Sequence, residues 1–512
     1  MQGGPLRELA PIVVPLMNAL EAWDDARPDG SAKAIGTQFQ GIGLYVFLIA
    51  FTSVYYLSNA QFLLSHYDLG WHLAAGDLIR NRGDIPFQDP WSFTLGDRQW
   101  YNLSWLWDVL ASLLFQYTGF PGLTISVVAC GAIITGYLAS LCRSSGASAA
   151  AVSIAVFVAC LLYPSFPTAP NVYLAASPNT ATMLFAVIFY GECLRRTRCL
   201  LLPAIMVLWV NLHGGFALGF LIIGVFGGVA LLRRDWAAVK LYGLAGIACL
   251  VAILINPLGW HIYEGVTATL GHFVQAYITE WLSYYEEMSM PGSIPGILFM
   301  LIFAALELRY AVSSTVPLEA RLLGWLFLFL GLYQFRYISF FFLFATVPLA
   351  LHIYRLLPKQ LNDLKIQGAL LVAGMLAVCA LPWTYLRVAP GFGFPQLLSE
   401  QDARYLQTHF PHARLLNHWN VGGLLIFFDR GSVPLFVDGR AATAYPDDLL
   451  RDYFKLAQWD VDEAAWDAVL GKYRIDTVLW VRAHDELRRF LVDKRGWKEA
   501  YDGEYETIYV KP

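Results

Sequence analysis

Charged residues are scarce in this chain of 512 residues. Asp, Glu, Lys and Arg make up only 14% of it, whereas about 25% is usual in soluble proteins. The 35 basic and 39 acidic side chains are dispersed and leave a net charge of -4, so no basic stripe of the kind that binds nucleic acid is present. This scarcity argues against a soluble protein and against a nucleic-acid partner.

Cysteine is also sparse and is not arranged for cross-linking. The seven cysteines lie in or beside apolar runs, and their spacing forms neither a disulfide framework nor a CxxC metal site. The N-terminal residues do not predict a signal peptide either, because acidic residues and prolines stand where an apolar core and a small-residue cleavage site are needed. We therefore expect residues 1–41 to form a cytoplasmic N-terminal segment.

Long apolar runs are what the chain does contain: 57% of it is hydrophobic, and its mean hydropathy is +0.50. A helix of about 20 apolar residues can cross the bilayer. The run at 105–120 is short and carries Asp108, which predicts a helix lying at the membrane interface instead. Eleven spans are predicted, near residues 42–60, 121–142, 148–163, 176–194, 199–213, 214–232, 239–256, 293–309, 319–335, 337–355 and 366–386.

The Lys and Arg residues of the short loops predict how these spans are oriented. With the N-terminus in the cytoplasm, every inner connection is basic, while the outer segments 164–175 and 257–292 contain no Lys or Arg. The same count places the loops at 61–120 and 257–292 and residues 387–512 on the outer face. We therefore predict a multi-pass protein of the bacterial inner membrane, with a periplasmic C-terminal domain.

Residues 398–512 change in character, because charge rises and short patterned runs replace the long apolar ones. The runs LLIFFDRG, VPLFVDGR, DTVLWVR and YETIYVKP are β-patterned, and they alternate with LLRDYFKLA and DEAAWDAVLGKY, which are helical. Strands that alternate with helices predict a small α/β domain. The expected architecture is thus an α-helical polytopic membrane bundle over residues 42–386, followed by a soluble α/β domain over residues 387–512.

The first outer loop is crowded with acidic and aromatic groups. Asp68 and His72 are four residues apart and share one face of a helix. An aspartate at the boundary between water and lipid can act as general base on a hydroxyl, although a helix cap is the alternative. Asp89 precedes Pro90 and indicates a turn or cap as readily as a catalytic carboxylate. The loop has no D-x-D pair, so it does not imply a metal.

Four further sites have polar side chains where a substrate would meet the outer face. Glu280 and Trp281 lie in a loop rich in carboxylates and aromatic rings, a composition that suits a sugar site or a solvated interfacial loop. His213, in WVNLHGGF, faces a cavity or shapes a tight helical hairpin. Arg336 matches a lipid phosphate bidentately or snorkels to headgroups. Asp438 and Arg440, in VDGR, contact a ligand or form an ion pair in a turn.

Three motifs of the first loop resemble those of a known family. D-x-x-W-H-x-x-x-G, G-x-x-P-x-x-D-P-x-S-F-T and S-W-L-W-D-V-L look like the first periplasmic loop of bacterial multi-pass GT-C glycosyltransferases, which are relatives of lipid A aminoarabinose transferases and protein mannosyltransferases. WVNLHGG, INPLG...TEW and NHWNVGG...VDGR are similar to one branch of that group. The resemblance covers most of the chain.

The resemblance implies a reaction and a set of residues. Asp68 would be the base and Asp89 a second carboxylate, and the donor would be a sugar on a polyprenyl phosphate, used at the outer face with a lipid, glycan or protein as acceptor. A single displacement would invert the anomeric centre. Leu69 stands where the family often has a second acid, so no metal or other cofactor is expected, and a divalent cation stays open. The expected substrate contacts are His72, His213, Glu280, Trp281, Arg336, Asp438 and Arg440.

Two other functions share some of these features. A transporter or flippase of lipid-linked glycan would favour broken or charged helices near the midplane and an internal repeat, neither of which the sequence shows clearly. A glycan ligase or polymerase would share the outer-face chemistry. A bundle that only anchors the C-terminal domain would leave the crowded first loop unexplained.

Overall fold

In the computed structural model of the protein, the predicted span at 366–386 and the N-terminal segment 1–41 lie outside the described residues. The start of the C-terminal region, at 387–397, lies outside them as well. The predicted boundaries there stay predictions. The structure describes residues 44, 46–53, 57, 67–162, 174–269, 271–287, 293–312, 315–358, 398–456, 460–482 and 484–512.

The described part of the bundle is helical throughout. Its helices are α1 (Leu69–Arg82), α2 (Trp105–Ser144), α3 (Ala149–Leu162), α4 (Asn179–Arg195), α5 (Leu202–Leu212), α6 (Ala217–Leu232), α7 (Trp236–Ala252), α8 (Ile262–Thr269), α9 (Tyr284–Glu287), α10 (Ser293–Arg309), α11 (Leu318–Tyr333) and α12 (Ile338–Leu356).

Within the described residues, three helices are long and apolar enough to cross a membrane: Trp105–Ser144, Gly214–Leu232 and Phe335–Leu356. Shorter apolar helices cover Ala149–Ala159, Cys199–Leu212, Trp236–Ala252 and Trp419–Asp429. The predicted number of eleven spans therefore stays a prediction.

The helix α2 joins the predicted interfacial helix to the predicted span that follows it. It is 40 residues long, but Gly119 has φ 63° and ψ -157°, and Pro121 follows inside the helix. A glycine tolerates this backbone conformation, and a proline removes a helical hydrogen bond. The break therefore falls at the boundary that the sequence predicts, near residue 120, while the position of residues 105–120 in the interface stays a prediction.

The helix α12 lies at the centre of the bundle. Every side chain from Ile338 to His352 is buried, and it packs against α2, α3, α10 and α11. Large apolar side chains on other helices point outward instead, for example Ile247, which is 62% exposed, and Leu232, which is 80% exposed. This arrangement suits a bundle surrounded by lipid, where exposed apolar groups are solvated by acyl chains.

The predicted cytoplasmic connections meet at one end of the bundle. Arg196 Nη1 lies 2.6 Å from Asp235 Oδ2 and joins the α4–α5 and α6–α7 connections. Arg233 Nη1 lies 3.0 Å from Glu319 Oε1, at the start of α11. The described parts of the two longer outer loops contact the C-terminal region instead. The predicted orientation of the bundle stays a prediction.

The C-terminal region is a small α/β structure. Its sheet has the order β1-β2-β4-β3; β1 pairs parallel with β2, and β4 pairs antiparallel with both β2 and β3. Its elements are α13 (Glu400–His409), β1 (Leu415–Asn417), α14 (Gly422–Asp429), α15 (Asp447–Leu456), α16 (Glu463–Lys472), β2 (Thr477–Val481), α17 (Asp485–Arg488), β3 (Lys498–Asp502) and β4 (Glu506–Val510).

Two of the predicted strands in this region are wrong. The run LLIFFDRG lies in helix α14, because its apolar pattern has no period that separates strand from helix. The run VPLFVDGR contributes only isolated bridges, from Leu435 to Ser92 and Leu415. The predicted strands in DTVLWVR and YETIYVKP are confirmed as β2 and β4, and both predicted helices are confirmed as α15 and α16.

The core of the C-terminal region includes tryptophans of the first outer loop. Trp71, Trp91 and Trp100 are at most 7% exposed and belong to the same apolar cluster as Leu424 and Leu435. Burying a large aromatic ring contributes several kcal/mol, on the order of 3–5 judged from truncation to alanine. The first loop and the C-terminal region therefore share one core.

Candidate active site

Asp68 stands immediately before α1, at the junction between the bundle and the C-terminal region. Its backbone is helical, with φ -82° and ψ -13°, and the residue is half-buried. Its carboxylate lies directly against Gly439: a Cβ at residue 439 would overlap Asp68 Oδ1 and lie 2.8 Å from Cγ. The predicted base is thus in contact with the VDGR turn.

His72 lies one turn further along α1 and is paired with a carboxylate. Its Nδ1 is 2.6 Å from Asp108 Oδ1, and Asn102 Nδ2 donates to Asp108 Oδ2 at 2.8 Å. Because a carboxylate only accepts, Nδ1 carries a proton, and Nε2 is the basic nitrogen of the neutral ring. Gly76, one turn later, brings α1 against the Asp108 backbone and Ser112 Oγ, 2.7 Å from a Cβ placed there.

The sequence analysis did not assign Asp108 or Asn102 to the site. Asp108 is fully buried, with 0% of its side chain exposed, and a buried charge needs a partner. The available signal is an acid inside a mostly apolar run, which in the sequence argues only against a membrane span. Its partner was not visible because His72 is 36 residues away.

Asp89 forms a turn, which is one of the two alternative roles that the sequence predicts for it; the other is that of a catalytic carboxylate. Its Oδ1 and Oδ2 accept hydrogen bonds from the backbone N–H groups of Trp91 and Ser92, at 3.3 and 2.8 Å. Its Oδ1 also pairs with Arg440 Nη1, and both side chains are completely buried. Asp89 is therefore part of a contact between the first loop and the C-terminal region.

Asp438 and Arg440 form the internal ion pair that was the alternative to ligand binding. Arg440 Nη2 lies 2.7 Å from Asp438 Oδ2, and Tyr445 donates its hydroxyl to the same oxygen at 2.8 Å. Burial alone lowers the pKa of Arg440, but the carboxylates of Asp438 and Asp89 hold that pKa well above its usual range. Burial, followed by the charge of Asp438, raises the pKa of Tyr445 well above its usual value. Arg440 thus stays charged and Tyr445 stays a donor.

Three of the predicted substrate contacts form a second cluster. The guanidinium carbon of Arg336 lies 3.8 Å from the centroid of the Trp281 ring, a cation–π contact. Arg336 Nη1 is 3.7 Å from Glu280 Oε1, and both side chains are 24% exposed. The structure thus brings the second outer loop together with the connection between α11 and α12.

His213 holds the hairpin between α5 and α6. Its Nδ1 lies 2.7 Å from Thr182 Oγ1 on α4 and accepts a hydrogen bond from the Gly215 N–H at 3.3 Å. The neighbouring Asn211 accepts from Trp105 Nε1 at 2.9 Å, at the start of α2. These contacts agree with the tight helical hairpin that is one of the two alternatives for His213. They also connect this hairpin to the end of the first loop.

The second outer loop is joined to the C-terminal region as the first one is. His272 Nε2 lies 2.8 Å from Asp447 Oδ1, and the rings of Tyr277 and Phe454 stack at 4.5 Å. Both loops therefore rest on the C-terminal region.

The sequence predicts no metal, although it leaves a divalent cation open. Among the residues that the structure describes, no group of three or more His, Cys, Asp or Glu side chains is arranged to hold a metal ion. Metal-independence stays a prediction.

The helical bundle with its C-terminal α/β region has the fold of solved GT-C proteins. The chain superposes on ArnT from Cupriavidus metallidurans bound to undecaprenyl phosphate with a TM-score of 0.52 and 14% identity, over 91% of this chain and 97% of that one. The apolar helices and this likeness identify an integral membrane protein with the GT-C fold.

The archaeal oligosaccharyltransferase AglB from Archaeoglobus fulgidus, in complex with an inhibitory peptide and a dolichol-phosphate, has the same fold. The TM-score is 0.59 at 12% identity, over 89% of this chain and 71% of that one. The apo form of an oligosaccharyltransferase from Archaeoglobus fulgidus gives 0.58 at 11% identity, over 88% and 71%. No family model matches the chain, and no curated protein matches it either.

Proposed function

We propose that this protein is a membrane glycosyltransferase that moves a sugar from a polyprenyl-phosphate donor to an acceptor hydroxyl at the periplasmic face. The observation that carries the proposal is the place of Asp68, half-buried at the mouth of a GT-C bundle where the first loop meets the C-terminal region. The likeness to structures that hold undecaprenyl phosphate and dolichol-phosphate supports a lipid-linked donor.

Asp68 acts as the base of a single displacement. Its carboxylate takes the proton of the acceptor hydroxyl while that oxygen bonds to C1 of the sugar. The bond between C1 and the phosphate oxygen breaks, and both electrons leave with the phosphate, which is already a stabilised anion. The anomeric centre is inverted because no covalent sugar–enzyme intermediate forms.

His72 and Arg336 are assigned to binding. With Nδ1 held by Asp108 at 2.6 Å, His72 keeps Nε2 as an acceptor for a sugar hydroxyl. Arg336, stacked on Trp281 and 3.7 Å from Glu280, binds the donor phosphate through its guanidinium fork. Trp281 and Glu280 contact the sugar. His213 contributes by fixing the hairpin beneath these groups.

Transfer of a whole lipid-linked glycan is the second candidate. It is suggested by the likeness to the archaeal oligosaccharyltransferase AglB, whose fold the chain shares. Both reactions use a base at the same position, so they are distinguished by the donor that the protein accepts.

The test compares membranes that carry the wild type or Asp68→Asn at equal expression. Radiolabelled monosaccharide on polyprenyl phosphate and radiolabelled oligosaccharide on a polyprenyl carrier are offered separately. We expect Asp68→Asn to lower transfer by about 10²–10⁴-fold, the contribution of a general base. Asp77→Asn is the matched control, because Asp77 is on the same helix, its side chain is 64% exposed, and its partner is the nearby Arg80. Equal transfer by wild type and Asp68→Asn would assign the base to another residue.

A further inference from the structure

The turn formed by Asp438, Gly439 and Arg440 closes over the carboxylate of Asp68. Gly439 does not have a positive φ, so its backbone does not require glycine. Glycine is required here by the lack of space for a side chain, because a Cβ at residue 439 would overlap Asp68 Oδ1. The position of a glycine in VDGR is thus explained by the contact with Asp68.

The side chains on both sides of this glycine fix the turn to the first loop. Arg440 binds Asp438 within the turn and reaches Asp89 and Ser92 of the loop, with its Nη2 3.1 Å from Ser92 Oγ. These groups are buried, and hydrogen bonds with ionised partners are about twice as strong as neutral ones. The turn therefore cannot shift without the loop that carries Asp68.

The chain on either side of Asp68 is held by α14 in the same way. A Cβ at Gly70 would lie 2.7 Å from the carbonyl carbon of Gly423, and a Cβ at Gly423 would lie 2.9 Å from the carbonyl oxygen of Tyr67. The backbones touch because both positions lack side chains. The C-terminal region thus supports Asp68 from both its flanks and its carboxylate.

We infer that the Asp438–Gly439–Arg440 turn, locked by Asp89, positions the Asp68 carboxylate for proton abstraction. In this role Asp89, Asp438 and Arg440 are positioning residues that do not touch the substrate. The inference rests on the proposed function of Asp68 as base. A base must lie within hydrogen-bond reach of its proton, and a displacement of about 1 Å can cost roughly 100-fold in rate.

A double-mutant cycle on stability tests the contact without any activity. Gly439→Ala is made in the wild type and in the Asp68→Ala background, and thermal unfolding of the full chain is followed in detergent. We expect Gly439→Ala to lower Tm in the wild type and to leave it nearly unchanged in the Asp68→Ala background, because residues in contact are not additive. Gly471→Ala is the control, since no atom lies within 4 Å of a Cβ there. Equal losses in both backgrounds would overturn the inference.

The rate of transfer tests the positioning itself. We expect Gly439→Ala to lower kcat by about 100-fold with the donor KM unchanged. Tyr445→Phe removes the hydroxyl that contacts Asp438, Ser92 and Arg440 but leaves the turn and Asp68 in contact, so it should lower kcat less. If Gly439→Ala on its own does not accumulate as folded protein, recovery of folded protein when Asp68→Ala is added to Gly439→Ala demonstrates the contact, and the effect on kcat is measured with Tyr445→Phe.

The two proposals fail in different ways. A folded Gly439→Ala with wild-type kcat would overturn the positioning role while the transferase stands. A second outcome is a non-additive change in Tm in the double-mutant cycle together with equal transfer by the wild type and Asp68→Asn. This outcome would show that the contact exists but that Asp68 is not the base, and the positioning role would then fail as well.

Discussion

Two buried histidine–carboxylate pairs lie at opposite ends of the molecule and differ in what surrounds the carboxylate. His72 Nδ1 is 2.6 Å from Asp108 Oδ1 at the predicted outer end, and His352 Nε2 is 2.7 Å from Glu307 Oε1 at the predicted inner end. Glu307 also accepts from Arg321 Nε at 2.6 Å.

The second partner of each carboxylate decides what the pair does. At the inner end a permanent cation neutralises the carboxylate, so the pair joins α10, α11 and α12 as a clamp. At the outer end the second partner of Asp108 is the neutral amide of Asn102. The charge of Asp108 therefore acts on the ring of His72 alone, which suits a group that handles substrate. Similar distances thus support different roles.

The largest expected effect on stability comes from breaking the inner pair. Glu307→Gln leaves Arg321 and His352 without their shared charge in a site where Glu307 and His352 are completely buried. Removing one partner of a buried ion pair costs about 3–5 kcal/mol, so Tm in detergent should fall sharply. Transfer per folded molecule should remain at the wild-type level. A comparable fall in kcat of the folded fraction would contradict the assignment of this pair to the clamp.

A third histidine differs from both pairs, because none of the described carboxylates is its hydrogen-bond partner. His418 packs edge-on against Trp480, with centroids 5.3 Å apart, and burial lowers its pKa to about 4, with a smaller effect of His484. The unfolded chain binds this proton at a pKa of about 6.5. The unfolded state therefore binds more protons between these values, and stability is lost as the pH falls from about 6.5 to about 4.

The measurement for His418 is the difference between wild type and His418→Phe in the full chain, from pH 4 to pH 7. We expect up to about 3 kcal/mol of pH-dependent stability to disappear in the variant. Burial raises the pKa of Asp429 to about 6, with backbone hydrogen bonds acting against it, which gives the opposite slope. The difference curve removes that contribution. A difference curve that stays flat would show that His418 does not titrate in this way.

The smallest free-energy change, and the one most specific to activity, comes from the outer pair. Asp108→Asn keeps the shape of the side chain but removes the charge that orients His72. A hydrogen bond to a charged group contributes about 1.5–3 kcal/mol, which corresponds to roughly 10–150-fold in kcat. Tm should fall less than in Glu307→Gln. An Asp108→Asn variant that keeps full activity and loses more stability than Glu307→Gln would contradict the roles assigned to the two pairs.

The local features of the site were predictable from the sequence. The spacing of Asp68 and His72 predicts a shared helix face, and α1 places them one turn apart. The break near Gly119 also falls where the change in composition predicts it. Such features depend on periodicity and on turn chemistry within a few residues.

The contacts between distant segments were not predictable in the same way. Asp89 and Arg440 are 351 residues apart, and nothing local in QDPWSFT or VDGR names the other as its partner. The glycines of WNVGG and VDGR were visible, but a pattern cannot tell a glycine needed for its backbone from one needed because another segment touches it. Helix α14 was misassigned for a related reason, since it is buried against α1, whose contribution no local window contains.

The shared core of the first loop and the C-terminal region has a consequence for synthesis. Trp91 and Trp100 pack against Leu435, which the ribosome reaches more than 300 residues later. At about 5–20 residues per second, the first loop waits on the order of half a minute with its tryptophans uncovered. We expect a chain interrupted anywhere before residue 440 to leave Asp89 without its cation and Asp68 without its support. A truncated product would thus be inert in the envelope.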